Sequence, residues 1–317
     1  MIRGDIIGFL YIVHRSRYYG QYRRRLRRII PQCLIPVVRP RILEQVEDSN
    51  GRGIGAIGGI LLRESDMGKS ELLEKLVMGI KALRQPGMDR LILDELHLFN
   101  MDNISYIEDR TGLRVVDGKE VLLAFLVPVL ECIYVGLGEE LRDKEALILS
   151  NGENLTRDTI EAICTKVRFI TLAGGDNGAI EGLIEEILNK TGLSIFHSKR
   201  VADILPRYSI IINLAEKLDM SLGGIKRRAI VFDFSFNRIM SGLMMGKHEP
   251  GVIDDLIFKC NFSSIGQTEW LKDLCPSYIY EYFYPRESGE VQKLSIDGDI
   301  YDIEEYIDLH LRNRGKL

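Results

Sequence analysis

The sequence is poor in the residues that build metal-bound or cross-linked scaffolds. Its 317 residues include five cysteines, at positions 33, 132, 164, 260 and 275, and no two of them form a CxxC pair. This scarcity argues against a structural zinc site, which uses closely spaced ligand pairs, and against a disulfide framework. It predicts a protein of a reducing compartment, the cytoplasm, with no metal site.

Long apolar runs are also scarce. Only residues 121–138, VLLAFLVPVLECIYVGLG, approach the length of a membrane span, and they include Pro128 and Glu131. A span needs about 20 apolar residues, and a lone ionised side chain is costly in hydrocarbon. We therefore expect a buried helix between two domains, with a membrane span as the alternative. The N-terminal residues show no small-residue cleavage site, so we expect no cleavable signal.

Acidic residues slightly outnumber basic ones, 46 to 42, yet the basic residues are clustered. The segment Arg15–Arg28, RSRYYGQYRRRLRR, contains seven arginines and no acid. A block of like charge attracts a polyanion. We expect this segment to bind an acidic carrier protein or an anionic surface, and nucleic acid is a less favoured partner. The alternative is a solvated helix face that pairs with the protein's own acids.

The sequence does contain a regular alternation of short apolar runs and helical patterns. After residue 138, runs such as EALIL (145–149), RFITL (168–172) and AIVFDF (229–234) alternate with helix-like segments. This alternation predicts a parallel sheet with right-handed crossovers and a ligand beyond the carboxyl ends of the strands. In the last residues, LSIDGDIYDI followed by IEEYIDLHL predicts a hairpin and a short helix.

We therefore predict an α/β protein with three parts. An N-terminal α/β lobe for a substrate or partner covers residues 1–138, and a Rossmann-like nucleotide-binding domain covers residues 139–255. A hairpin–helix extension covers residues 256–317. The length of the chain fits two domains of ordinary size with a short addition.

A short stretch imitates a phosphate-binding loop. RESDMGKSELLEKL (63–76) contains the tripeptide GKS, and RLILDEL (90–96) resembles the acidic strand that accompanies such a loop. However, the motif GxxxxGK[ST] begins with glycine so that backbone amides can surround phosphate, and Arg63 occupies that position. An ordinary helix start capped by Ser65 or Asp66 explains the same residues. We therefore disfavour a P-loop NTPase.

The stretch EALILSNGENLTRDTIEAI (145–163) lies where a dinucleotide-binding turn belongs, between a strand and a helix. The full fingerprint has three glycines, whereas here only Gly152 remains, with Ser150 at the first position and Leu155 or Thr156 at the third. Gly152 can still let a pyrophosphate approach the helix N-terminus, but Leu155 would push helix and strand apart or force a different turn. Ordinary loop chemistry is the alternative.

Two more strand ends complete the predicted cofactor site. After the second strand, AGGDNG offers Asp176 for the ribose hydroxyls of NAD, and no arginine follows immediately to favour NADP, although the choice between NAD and NADP stays open. The fourth strand ends at Asn213, where the backbone would meet the nicotinamide ribose. The predicted cofactor-binding residues are Ser150, Gly152, Glu153, Asn154, Asp176, Asn213, Leu214 and Ala215.

Several segments together carry a family resemblance. They are IIGFLYIVH, SNGRGIGAIGGILL, LLEKLVMGIKAL, GMDRLILDEL, TGLRVVDGKEV, EALILSNGENLTRDTIEAI, LPRYSIIINLA and IKRRAIVFDFSFNR. Through most of residues 5–240 the chain resembles the acyl-ACP-reductase-like group of dehydrogenases. The C-terminal half of that group is similar to the NAD(P) domains of shikimate dehydrogenase and glutamyl-tRNA reductase.

The resemblance implies NADPH-dependent reduction of a fatty acyl thioester to an aldehyde, in which a cysteine accepts the acyl group. Cys275 lies in the comparable region and Cys260 is the other option, whereas a buried apolar role is the alternative for either. His14, at the end of the first strand, is a candidate acid, with a structural role as the alternative. The implied partner is an acidic carrier protein, which would suit the arginine segment.

The chain departs from the family at glycine-rich positions. Asp94-Glu95-Leu96-His97 replaces a glycine-rich loop, and Asp117-Gly118-Lys119 replaces Thr-Gly-Asn before the long helix. Two hypotheses follow. The first is an NAD(P)-dependent oxidoreductase, expected to be a homo-oligomer, that acts on an acyl thioester or a related small carbonyl substrate. The second is a non-catalytic binding or regulatory protein on the same scaffold.

Overall fold

The computed structural model describes residues 8–13, 17–18, 39–60, 69–94, 96–150, 154–174, 177–218, 224–244, 250–262, 268–284 and 289–312. The chain divides into two units. Unit 1 consists of residues 1–117 and 260–284, and unit 2 consists of residues 118–259 and 285–317. The boundary predicted at residue 138 thus falls at 117, because the long helix after Gly118 belongs to unit 2. The predicted extension 256–317 is divided between the units.

The sheet of unit 1 has the strand order β2-β3-β1-β4-β5. Its strands are β1 (Gly8–Ile12), β2 (Arg41–Glu47), β3 (Gly53–Gly59), β4 (Met88–Leu93) and β5 (Arg114–Val115). Strands β3, β1, β4 and β5 are parallel, and β2 pairs antiparallel with β3. The strand order therefore reverses beside β1, since the chain goes to one side of β1 for β3 and to the other side for β4.

Two glycines in β3 allow aromatic rings to lie directly on the backbone. A Cβ atom on Gly59 would stand 2.6 Å from the ring of Tyr18, and a Cβ atom on Gly55 would overlap the ring of Phe9. Both aromatic side chains are buried. Strand β1 is the central strand of this sheet.

The described helices cover both units. They are α1 (Lys69–Leu83), α2 (Met101–Thr111), α3 (Lys119–Leu137), α4 (Asn154–Ile163), α5 (Asn177–Thr191), α6 (Val201–Ile204), α7 (Ile239–Leu243), α8 (Ser277–Phe283) and α9 (Ile303–Tyr306). Helix α2 shows how local sequence sets such limits. A capping box between Asn100 and Asn103 begins it, and Gly112 ends it in a left-handed conformation with φ of 66°.

The sheet of unit 2 has the order β14-β13-β11-β10-β9-β6-β7-β8. Its strands are β6 (Glu145–Leu149), β7 (Phe169–Ala173), β8 (Phe196–Ser198), β9 (Ile210–Asn213), β10 (Ile230–Asp233), β11 (Val252–Lys259), β13 (Val291–Ile296) and β14 (Asp299–Asp302). The short strand β12 (Leu274–Pro276) belongs to the residues of unit 1. Strands β6 to β11 pair in parallel. Numbered in chain order, they lie as 3-2-1-4-5-6, the order of dinucleotide-binding sheets. Unit 2 has the Rossmann fold.

Helix α3 contains the apolar run that raised the question of a membrane span. It is long and apolar enough to cross a membrane, and 39% of its most apolar window is buried within the structure. Phe125 packs edge-on against Phe258 of β11, with ring centroids 4.9 Å apart. A Cβ atom on Gly136 would meet Ile307 near the C-terminus. The helix is therefore an element of unit 2, whereas we expected it between domains.

The C-terminal hairpin forms as predicted. Strands β13 and β14 are antiparallel, and Asp297 and Gly298 occupy the turn with φ of 51° and 89°. The hairpin extends the parallel sheet instead of standing apart, because β13 pairs antiparallel with β11. Strand β11 itself was not predicted, since Asp254 and Asp255 interrupt its apolar run although both are buried.

Candidate functional site

The strand order of unit 2 reverses between β6 and β9. Leu149 at the end of β6 lies opposite Asn213 at the end of β9, and the amide of Leu214 donates a hydrogen bond to the carbonyl of Leu149 at 2.8 Å. The crevice beyond the carboxyl ends of strands at such a reversal is where ligands of open α/β sheets bind. Three of the predicted cofactor-binding residues, Asn213, Leu214 and Ala215, therefore lie at this edge.

Two hydroxyl groups join the end of β6 to the first turn of α4. Ser150 is buried, its amide donates to the carbonyl of Ala173 at 2.9 Å, and its Oγ is hydrogen-bonded to Oγ1 of Thr156 in the first turn of α4. Thr156, not Leu155, therefore occupies the position facing the strand end. The displacement that we expected from Leu155 does not follow, since this residue is only half-buried.

The first turn of α4 is suited to an anion. It contains no acidic residue, and Asn154 at its start is exposed. Backbone amides at a helix start carry partial positive charge, so that a diphosphate would be attracted to this turn. Of the predicted residues nearby, Gly152 and Glu153 lie outside the described residues, as does Asp176 after β7.

The ends of β6 and β7 approach each other closely. Gly174, directly after β7, adopts φ of 85°, and a Cβ atom there would stand 2.7 Å from the carbonyl oxygen of Ser150. Only glycine suits this combination of left-handed backbone and short contact. Gly174 therefore allows the close approach of the ends of β6 and β7, a feature that the incomplete glycine fingerprint did not reveal.

A buried carboxylate fixes the loops after β9 and β10. Oδ1 of Asp233 accepts hydrogen bonds from Nδ2 of Asn213 at 2.8 Å and from the amide and hydroxyl of Ser235 at 3.1 and 2.6 Å. Oδ2 accepts from the amide of Met240 at 2.7 Å. Burial raises the pKa of the Asp233 carboxyl, and the bonds from Ser235 and Asn213 partly oppose that rise. Nδ2 of Asn213 also donates to the carbonyl of Ala215, and Oδ1 of Asn213 accepts from the Ala215 amide. These bonds shape the loop after β9.

A lysine–glutamate pair lies at the same edge and was not predicted. Nζ of Lys119, in the first turn of α3, is 3.8 Å from Oε1 of Glu216 and 3.5 Å from the ring centre of Phe236. Oε1 of Glu216 also accepts the Phe236 amide at 3.0 Å. Burial raises the pKa of Glu216, opposed by the Phe236 amide and by the charge of Lys119. The pairing joins segments nearly 100 positions apart, so no local pattern indicated it.

Unit 1 has a polar cluster of its own, beyond the ends of β1 and β4. Asp94 accepts the hydroxyl of Tyr11 at 2.5 Å and the hydroxyl of Tyr278 at 3.2 Å, and it pairs with Arg17 at 3.2 Å. Arg17 also donates to the carbonyl of Trp270 at 2.7 Å. Burial and the charge of Asp94 raise the pKa of Tyr11 well above its ordinary value. Asp94 is the acid at the end of the strand that resembles the acidic strand of a P-loop protein. It is therefore already hydrogen-bonded and ion-paired within unit 1.

The predicted catalytic residues have different outcomes. His14 lies outside the described residues. Cys275 is buried and forms a disulfide with Cys260, so that it carries no thiol in this structure. The sequence argued against a disulfide framework and gave no sign of this single bond, which the fold makes between two cysteines 15 positions apart. Among the described cysteines, Cys132 and Cys164 are free.

Metal ligands are not gathered at either edge. Within the described ranges, no group of three or more His, Cys, Asp or Glu side chains is arranged to hold a metal ion. The groups that could hold a cofactor lie at the carboxyl edge of the sheet of unit 2: the amides in the first turn of α4 for a diphosphate, and the loops after β9 and β10 for the remainder of a dinucleotide.

Comparisons with known proteins show similarity of structure only. No known family model matches the sequence, and no curated protein matches it. The chain is similar to quinate dehydrogenase from Corynebacterium glutamicum in complex with NAD, with 12% identity, 72% of this chain and 79% of that chain covered, and a TM-score of 0.32. It is also similar to L-tryptophan dehydrogenase from Nostoc punctiforme, with 11% identity, 58% and 50% covered, and a TM-score of 0.27.

A third similar structure is the Thermococcus litoralis Δ1-pyrroline-2-carboxylate reductase in complex with NADH and L-proline, with 14% identity and a TM-score of 0.28. Here 35% of this chain is covered, and the match spans about a third of the reductase, 36% of its length. At these identities the comparisons bear on the fold alone. The assignment of unit 2 to the Rossmann fold rests on its own strand order.

Proposed function

We propose that the protein is an NAD(P)-dependent oxidoreductase whose cofactor binds along the carboxyl edge of the parallel sheet in unit 2. The observation that carries this proposal is the strand order 3-2-1-4-5-6, with its reversal between β6 and β9. Such a sheet consists of two mononucleotide-binding halves. Strands β6 to β8 form the half for the adenosine, and β9 to β11 form the half for the nicotinamide.

Different residues of the crevice are proposed to bind different parts of the dinucleotide. The amides at the start of α4 would hold the diphosphate, in a turn fixed by the Ser150–Thr156 hydrogen bond. Asp176 is proposed for the adenosine ribose, which would favour NAD over NADP. Asp233 and Asn213 hold the loops against which the nicotinamide ribose would lie. When bound, the cofactor supplies the hydride.

For the substrate we propose an acyl thioester or a related small carbonyl compound. The support is the resemblance of the sequence segments to acyl-thioester reductases. Cys275 would accept the acyl group, and this requires that its disulfide with Cys260 be reduced first. The segment Arg15–Arg28 is proposed to bind an acidic carrier or an anionic surface, and a cytoplasmic homo-oligomer is proposed as the working form.

Thermal unfolding with and without NADH or NADPH tests the cofactor proposal. At a hundredfold excess over the dissociation constant, binding adds about 2.7 kcal/mol to the free energy of unfolding. Asn154→Asp places a negative charge at the exposed start of α4. It should leave the free protein as stable as wild type or slightly more stable, because acids favour a helix start. It should weaken cofactor binding by about five- to tenfold through repulsion of the diphosphate.

Asn189→Asp is the matched control, since it makes the same change at an exposed position near the far end of α5. It should leave cofactor affinity unchanged. Absence of any stabilisation by either cofactor, at concentrations up to the millimolar range, would remove the oxidoreductase proposal.

One observation favours the second candidate function, a non-catalytic binding or regulatory protein. The candidate nucleophile Cys275 is buried and tied to Cys260. This candidate predicts salt-sensitive binding to anionic vesicles or an acidic protein and no response to NADH or NADPH. Replacing Arg23, Arg24, Arg25, Arg27 and Arg28 together with glutamine should abolish that binding. Unchanged binding by this variant would contradict the candidate.

A further inference from the structure

The Lys119–Glu216 pair lies at the nicotinamide half of the proposed crevice. Glu216 follows β9 by three residues, and Phe236, which touches both members of the pair, follows β10 by three residues. Each charged side chain keeps 16% of its surface exposed. The pair is therefore held by the protein, yet it remains within reach of a ligand at the ends of β9 and β10.

The contact between the two charged groups is not a direct hydrogen bond. The distance of 3.8 Å between Nζ of Lys119 and Oε1 of Glu216 is longer than the 2.7–3.2 Å of a direct N–H···O hydrogen bond. The second carboxylate oxygen, Oε2, is buried and accepts no hydrogen bond. An ionised carboxylate has about four acceptor sites, and the Phe236 amide occupies one of them on Oε1. An acceptor in this state gains by meeting a donor.

Other polar groups at this edge are already in use. Asp233 accepts four hydrogen bonds, and Asn213 bridges Ala215 and Asp233. Nδ2 of Asn237 donates to the carbonyl of Glu216 and so fixes the loop that carries the carboxylate. Glu216 therefore offers an acceptor, and Lys119 beside it offers a donor, on supports that are fixed by separate bonds.

We propose that Lys119 and Glu216 together bind the primary carboxamide of the nicotinamide ring, an inference that rests on the proposed function. A primary amide presents one acceptor and one two-proton donor side by side. The ammonium group of Lys119 donates to the amide oxygen, and the carboxylate of Glu216 accepts from the amide NH2. A lone anion would face Glu216 and a lone cation would face Lys119, so the pair suits a neutral group with both functions.

Binding of two reduced dinucleotides tests this assignment. One is NADH, and the other is the reduced 3-acetylpyridine analogue, which keeps the carbonyl oxygen and replaces the NH2 group with a methyl group. Affinity is measured by titration calorimetry on the full-length protein. The wild-type protein should bind NADH about tenfold or more tightly than the analogue, since one charge-assisted hydrogen bond is lost.

Variants separate the two contacts. Glu216→Ala should reduce affinity for NADH alone and remove the preference, whereas Lys119→Met should weaken both dinucleotides by a similar factor. Glu216→Gln keeps an acceptor for the Phe236 amide and should show an intermediate preference, so the test survives if the alanine variant is poorly folded. Lys166→Met and Glu131→Ala are controls, because this pair of unit 2 is exposed and directly bonded at 2.8 Å.

The possible results distinguish failure of the carboxamide assignment from failure of the cofactor proposal. Equal affinity of the wild-type protein for both dinucleotides, or a preference that persists in Glu216→Ala, overturns the carboxamide assignment and leaves the cofactor proposal intact. Binding of neither dinucleotide overturns both. Loss of the preference in Glu216→Ala, an intermediate preference in Glu216→Gln and unchanged control variants support the assignment.

Discussion

Replacing Asp233 with asparagine probes the hydrogen-bond network that shapes the crevice. Three donors converge on one carboxylate oxygen, and the Met240 amide binds the other at 2.7 Å. An asparagine side chain has one oxygen, which can face either the three donors on one side or the Met240 amide on the other. If the oxygen stays with the three donors, the NH2 group faces the Met240 amide, which is left without an acceptor.

The expected cost follows from that single lost acceptor. A buried donor without a partner costs about 1–3 kcal/mol, so we expect Asp233→Asn to lower the free energy of unfolding by about 2 kcal/mol at pH 7. For a domain of the size of unit 2 this corresponds to a decrease of about 4–8 °C in melting temperature. Asp233→Ala leaves all four donors without this acceptor and should cost more than Asp233→Asn, about 3 kcal/mol or more.

The pH dependence has a defined sign. Because burial raises the pKa of Asp233, the folded protein binds a proton at a higher pH than the unfolded chain does. The contribution of this group to stability therefore increases as the pH falls from neutrality through the raised pKa. Asp233→Asn has no such titration, so the stability difference between wild type and variant should widen on acidification.

Circular dichroism melts between pH 7 and pH 4.5 measure this difference. Asp158→Asn, at an exposed position on α4, is the control and should change the melting temperature by less than about 1 °C, as surface substitutions do. The reasoning is refuted if Asp233→Asn melts like wild type at pH 7, or if the difference narrows on acidification.

Three further predictions concern the turn of unit 2 and the disulfide of unit 1. Thr156→Val removes the hydrogen bond between the two buried hydroxyl groups of Ser150 and Thr156 and should lower stability by about 1–2 kcal/mol in chemical denaturation; an unchanged midpoint would contradict the role of this bond. Gly174→Ala adds a Cβ atom 2.7 Å from the carbonyl oxygen of Ser150 at a residue with positive φ. It should lower the free energy of unfolding by about 1–3 kcal/mol and weaken NADH binding. Wild-type affinity for NADH in this variant would show that the close approach of β6 and β7 does not matter for cofactor binding. Reduction of the disulfide, or Cys275→Ser, opens a loop of 15 residues and should cost about 3 kcal/mol. The single tryptophan, Trp270, lies in that loop and should report the change by its fluorescence, whereas identical emission before and after reduction would show that the disulfide does not hold the loop.

The regular part of the fold was predictable because its signals are local. The strand β6 coincides with the predicted run 145–149, and β7 and β10 lie within a residue of their predicted limits. Short apolar runs separated by helical patterns permit few arrangements, and right-handed crossovers then favour a doubly wound sheet. The hairpin of β13 and β14 was equally visible in its Asp297-Gly298 turn.

The missed features depend on distant partners. Strand β11 contains Asp254, whose burial is compensated by Arg238 at 3.2 Å, and composition alone gives no sign of this pairing. The disulfide joins cysteines whose spacing matches no common motif, and connectivity does not follow from sequence. Asn213 was correctly placed at the strand end, but its bond to Asp233, which is 20 positions away, gives it a structural role.

The proposed function requires that a dinucleotide binds where the strand order of unit 2 reverses, between β6 and β9. Hydrogen–deuterium exchange of the full-length protein, with and without saturating NADH or NADPH, tests it most directly. We expect slower exchange in two places, residues 150–157 around the start of α4 and residues 213–217 after β9. Unchanged exchange in both segments at saturating cofactor, or protection confined to unit 1, would contradict it.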